Sequence, residues 1–127
     1  MADESEPDTA AQSRDVFRPG GVSYLELPAR HVEQSAEFYR AVFGWRLRGD
    51  PQSPSFSDGT GHVIGHWRTD LTVVGSAGVM PYVYVEDLED TLRRATEYGA
   101  QTVKSPYREG DLWVAIIRDL AGSIIGI

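Results

Sequence analysis

Glu26 is the residue in this chain best suited to moving a proton. It lies in the run Val22 to Ala29 (VSYLELPA), and Tyr24, two positions earlier, shares its side of an extended backbone. A lone carboxylate among phenols can act as a general acid or base. A hydroxyl from Tyr24, Tyr82 or Tyr84 would then orient a substrate or stabilise an oxyanion. The same carboxylate can instead do no more than fix its strand through hydrogen bonds to backbone or to a tyrosine. The histidines are His31, His62 and His66. His62 and His66 are four apart, the spacing that places two zinc ligands on one helix face, but their segment, Gly61 to Trp67 (GHVIGHW), reads as a strand. In a strand the even separation also puts both on one face. With no cysteine, a disulfide scaffold, a zinc ribbon, an iron–sulfur cluster and a thiol nucleophile are excluded. No phosphate-binding loop, dinucleotide glycine fingerprint or nucleophile elbow occurs.

The elements that position these groups have to fit in one domain. The 127 residues, 41% hydrophobic and 24% charged, suit a single small domain that needs no metal or disulfide for stability. A net charge of −7 disfavours nucleic acid and an anionic membrane surface as partners. The longest uncharged run, Leu71 to Val85, contains Gly75, Gly78 and Pro81 and is too short to span a bilayer. Met1 to Asp8 is acidic and lacks the pattern of a secretory signal, so a cytoplasmic location is expected. Residues 1–18 carry five acids against two bases and are expected to form a disordered leader that supplies −3 of the −7.

From Gly20 the pattern is periodic. Val22 to Ala29 alternates as a strand, with Leu25 and Leu27 on one side and Tyr24 and Glu26 on the other. Val32 to Phe43 places Ala36, Tyr39, Val42 and Phe43 at helical spacing, and Gly44 is its natural stop. Trp45 to Arg48, Ser55 to Asp58 and Gly61 to Trp67 read as short strands. A second cycle follows: a strand at Met80 to Val85, a helix at Leu88 to Tyr98 capped by Asp87, then strands at Gln101 to Lys104, Asp111 to Asp119 and Gly122 to Ile127. The two cycles are copies. Leu27 and Ala29 match Val83 and Val85 at an offset of 56, and Asp58 to Gly65 (DGTGHVIG) matches Asp119 to Gly126 (DLAGSIIG) at an offset of 61. Each copy is β-α-β-β-β, over about 20–68 and 79–127. Neither can bury both faces of a sheet alone.

Over residues 20–127 the sequence resembles the glyoxalase/bleomycin-resistance group, the vicinal oxygen chelate superfamily. The likeness rests on Leu25-Glu26-Leu27-Pro28-Ala29, Phe38-Tyr39, Phe43-Gly44-Trp45 and the closing Asp119 to Gly126, in that order and duplicated. It implies an α+β fold in which two βαβββ modules form one half-barrel around a cavity, commonly in a homodimer. It also implies four metal-ligand positions, which fall here on Tyr24, Gly65, Met80 and Gly126. These offer at most one phenol, so no metal and no other cofactor is expected.

If Tyr24 marks the cavity side, strand parity places Glu26, Val63, Trp67, Met80, Tyr82, Tyr84 and Ile124 on it as well. Gly65 and Gly126 then leave space, and His62 and His66 turn away. His31 reads as an exposed first-turn residue, Trp45 as core, and Trp113 as core, pocket rim or dimer contact. The expected ligand is a small organic molecule, aromatic or partly apolar, with a few polar handles. One expected function is metal-independent binding of such a molecule, for instance drug sequestration or resistance. The other is a cofactor-free isomerase, cyclase or lyase reaction on a natural-product intermediate, with Glu26 as acid/base and Tyr24 beside it.

Overall fold

Twelve residues, Val32–Phe43, form helix α1; of the stripe that the spacing predicts, Ala36, Tyr39 and Val42 are buried and Phe43 is half-buried, and Phe38 is buried beside them. The helix ends because Gly44 adopts a left-handed conformation (φ 73°) and turns its N–H back to the carbonyls of Arg40 and Tyr39. Helix α2, Leu88–Glu97, starts at Asp87, whose Oδ1 accepts the N–H of Asp90 at 3.0 Å, a cap worth about 1 kcal/mol. His31, at the equivalent place before α1, makes no such side-chain bond. The computed structural model describes residues 16–73 and 78–127, so the expected leader falls outside it as far as residue 15.

Among the described residues, seven strands make two sheets. The first contains β1 (Tyr24–Pro28), β2 (Arg46–Arg48), β3 (Ser55–Ser57) and β4 (Ile64–Arg68) in the order β1-β4-β3-β2, with β1 and β4 parallel. The second contains β5 (Gln101–Glu109), β6 (Leu112–Arg118) and β7 (Ile124–Gly126), in the order β5-β6-β7. The expected strand at Met80 to Val85 is reduced to a single parallel bridge, Tyr82 to Gly126, in the place that β1 takes in the first sheet. β5 runs further than expected, to Glu109, with register shifts around Lys104. Each copy is thus built in the same order, as the duplicated sequence requires.

The shared Asp-x-x-Gly turn explains why the copies resemble each other. Asp58 Oδ1 accepts hydrogen bonds from the N–H groups of Thr60 (3.1 Å) and Gly61 (3.0 Å). Asp119 Oδ1 accepts those of Ala121 (3.1 Å) and Ser123 (2.8 Å). Gly61 and Gly122 both take positive φ, 79° and 101°. The turns nevertheless differ in length. Ser57 pairs with Ile64, leaving six residues between, whereas Arg118 pairs with Ile124, leaving five. Because side chains alternate along a strand, this one-residue difference turns β4 over relative to β7.

The core lies between the helices and the two sheets. Trp45 stacks against both Tyr39 and Phe56 with ring centroids 4.6 Å from each, and Trp67 joins at 4.8 Å from Phe56. Under α2 the core is aliphatic, with Ala115, Ile117, Ile125 and Ile127. Within it a buried side-chain hydrogen bond ties the copies together: the Tyr39 hydroxyl donates to Asp119 Oδ2 at 2.7 Å.

Candidate functional site

On the face of the first sheet that points away from α1, β1 and β4 place a row of polar side chains. Tyr24 Oη lies 2.6 Å from His66 Nδ1. On the other side of that ring, His66 Nε2 lies 3.7 Å from Glu26 Oε2. Arg68 Nη1 donates to Glu26 Oε1 at 2.8 Å, and its Nε and Nη2 grip both oxygens of Asp70 at 2.9 and 2.7 Å. These bonds favour the charged forms, so Asp70 is held below the usual carboxylate range and Arg68 is held more firmly protonated. Register explains the row, since Glu26 pairs with His66 and Pro28 with Arg68. Tyr24 is half exposed and within reach of a ligand.

The expected cavity lining therefore divides. Tyr24 and Glu26 share a face, as parity requires. Trp67 does not join them: it is 4% exposed and packs in the aromatic core against Tyr39 and Phe56. His66, expected to turn away, stands between Tyr24 and Glu26 instead. Val63 and His62 belong to the turn before β4. The cause is the six-residue turn, which carries Ile64, His66 and Arg68 onto the face that the offset of 61 assigns to Val63, Gly65 and Trp67. The only signal in the sequence is an indirect one: an Arg at 68 suits an open face, and a Trp at 67 suits a core.

In the second copy the expected strand pairs at one bridge. Tyr82 pairs with Gly126, and its ring fills the space a side chain at Gly126 would occupy. Ile124 is on the same side but buried, and Val83 packs against the core. Desolvation, and next the neighbouring Tyr107, push the Tyr82 hydroxyl to a higher pKa. A groove of about 720 Å³ opens between the segment Tyr82 to Glu89 and the hairpin around Leu112 and Trp113. Tyr82, Tyr84, Leu112 and Trp113 contribute exposed apolar surface to it, and Val83, Val85 and Pro106 are among its other apolar lining residues. Neither Met80 nor any member of the Tyr24 row lines this groove.

Against this geometry, the family model described as Glyoxalase-like domain matches residues 24–125. The chain belongs to the glyoxalase-like domain family. Within the glyoxalase-like family, a "Glyoxylase-like domain-containing protein" from Didymella fabae is 30% identical over 90 residues, covering 65% of this chain and 70% of that protein. A glyoxalase/bleomycin resistance protein/dioxygenase family enzyme from Burkholderia phytofirmans PsJN has the same fold, with a TM-score of 0.67 at 17% identity over 83% of this chain and 94% of its own. So does FosX, a fosfomycin resistance protein from Listeria monocytogenes, at 0.65 and 11% over 84% and 90%. TnmS3, an antibiotic binding protein from Streptomyces sp. CB03234, scores 0.63 at 18% over 84% and 93%.

The metal centre implied by the glyoxalase-like resemblance does not fit the residues present. Gly65 faces Phe56 and the Leu25 backbone in the core, and the Tyr82 ring occupies the place beside Gly126. His66 and Glu26 are the polar groups beside Tyr24, and they are already engaged, His66 Nδ1 with the Tyr24 hydroxyl and Glu26 Oε1 with Arg68. Among the described residues, no group of three His, Cys, Asp or Glu side chains could hold a metal ion. No described helix is long and apolar enough to cross a membrane.

Proposed function

We propose that this glyoxalase-like domain binds a small, flat, largely apolar organic molecule without a metal, in the groove beside Trp113. The groove itself supports this reading. At about 720 Å³ it matches the size of a drug-sized site, and its exposed aromatic rings offer stacking surfaces. Antibiotic binding is one use of this fold, as TnmS3 illustrates, and sequestration of a drug in the cytoplasm by a bacterial homodimer is the form we assign here. A planar aromatic ligand titrated into the protein should quench tryptophan fluorescence. Trp113→Ala should weaken binding about tenfold or more, the loss expected for one stacked ring at a binding hot spot. An affinity unchanged by Trp113→Ala would overturn the assignment.

A second reading, a cofactor-free proton-transfer enzyme, is favoured by the 2.6 Å contact between Tyr24 and His66. In it Tyr24 meets the substrate and His66 takes or returns its proton. Glu26 stabilises the imidazolium from behind, held by Arg68. Tyr24 donates to Nδ1 in the tautomer that leaves the Nε2 hydrogen facing Glu26. Exchange of an acidic C–H of a bound compound into D2O, followed by NMR, should slow about a hundredfold in His66→Asn, with binding retained. Exchange at an unchanged rate would exclude this chemistry.

A further inference from the structure

We propose that the open face of the first sheet holds the anionic group of a small organic ligand, a carboxylate or a phosphate, between Arg46, Arg48 and the Ser55 hydroxyl. This deepens the proton-transfer reading by naming its substrate class. Arg48 pairs with Ser55, Ser55 with His66, and His66 with Glu26, so one row crosses all four strands on the same face. Arg46 stands one step along β2, opposite Ser57, on that face too. Adjacent strands lie about 4.8 Å apart, which puts the Arg48 backbone about 10 Å from that of His66, the span of a small organic molecule.

The charges along the row are separated. At the β1 end Arg68 is matched by Glu26 and Asp70. At the β2 end neither Arg46 nor Arg48 has a carboxylate within ion-pair distance among the described residues, in a chain whose net charge is −7. The hydroxyl beside them is also poorly used. Ser55 Oγ makes only a 3.5 Å contact with the Arg48 carbonyl. Two guanidinium forks and an underused hydroxyl complement an oxyanion, and the proton-transfer groups lie two strands away. Charges on an edge strand can also serve to prevent strand pairing, a role that calls for no ligand.

The test is an NMR titration of the isotope-labelled full chain with inorganic phosphate and, separately, with benzoate, in about 0.15 M salt so that diffuse attraction is screened. Saturable shifts at Arg46, Arg48, Ser55 and His66 are expected with one or both probes. Phosphate alone would identify a phosphate-bearing ligand, and benzoate alone a carboxylate. The double variant Arg46→Gln, Arg48→Gln should bind about tenfold more weakly at an unchanged melting temperature, as the loss of charge-assisted contacts requires. Arg93→Gln, on the outer face of α2, should bind like the parent. Absence of saturable shifts with both probes, or equal binding by the double variant, would overturn the proposal and leave edge protection as the role of these arginines. The D2O exchange experiment is read independently, so loss of exchange with the titration intact rejects only the proton-transfer reading.

Discussion

Gly65→Ala is expected to destabilise the protein by about 3 kcal/mol or more, enough to unfold a small domain. A methyl group at this position would lie far inside van der Waals contact distance of the Leu25 carbonyl oxygen and 2.7 Å from Cζ of Phe56. The first of these belongs to the backbone of β1, and Leu25 and Gly65 are register partners. Relief would therefore require β1 and β4 to part or the stacked rings of Trp45, Phe56 and Trp67 to move together. Gly126→Ala is the matching change in the second copy and should cost less. There the methyl group meets the ring of Tyr82, which is 57% exposed and can swing into solvent. Urea unfolding followed by circular dichroism will rank the two. Equal midpoints would mean that the first-sheet register described above is wrong.

Asp119→Ala should cost about 3 kcal/mol, because one buried carboxylate serves three donors. Its Oδ2 accepts the Tyr39 hydroxyl from the other copy, and its Oδ1 accepts two N–H groups of its own turn. Removal leaves the fully buried Tyr39 hydroxyl without a partner. Tyr39→Phe, which removes the hydroxyl but leaves the turn, should cost about 1 kcal/mol. Burial pushes the Asp119 carboxyl above its usual range, while the bonds from Tyr39, Ser123 and Ala121 pull the other way. A group raised in this way contributes stability below the unfolded carboxylate value of about 3.9, and the contribution is lost as pH rises through the higher folded value. Relative to Asp119→Asn, the parent protein should therefore gain stability as pH falls from 7 toward 4. A pH-independent difference between the two in denaturant unfolding would contradict the raised pKa.

Much of the architecture is legible in the sequence because period and punctuation agree. The positions Ala36, Tyr39 and Val42 with Gly44 after them define α1, and Asp87 defines the start of α2. The repeated Asp-x-x-Gly marks both closing turns, and their carboxylates and glycines act alike. The site is less legible. Matching Gly65 to Gly126 is correct residue by residue, yet it carries the pairing pattern of one turn onto the other. The number of residues a turn leaves unpaired is set by hydrogen bonds, and Asp58 N–H reaches Val63 where Asp119 N–H reaches Ser123. That choice does not show in residue types, and it decides whether His66 or Trp67 meets Tyr24. The groove escapes notice for a different reason. It opens beside the segment after Tyr82, which forms a single bridge to β7, while alternation alone predicts a continuous strand from Met80 to Val85.

The extra residue in the first copy's turn also bears on how such a duplicated protein can change. Point substitutions exchange side chains one at a time, and each polar group sent into the core along the way would carry its own penalty. A single insertion or deletion in this turn exchanges the whole of β4 in one event, offering His66 and Arg68 in place of Gly65 and Trp67 or the reverse. Two copies that began alike can in this way acquire surfaces of opposite character, one ionic and one aromatic, without passing through a half-changed strand. Turn length, rather than residue identity, is then the natural variable for engineering a new binding face on this scaffold.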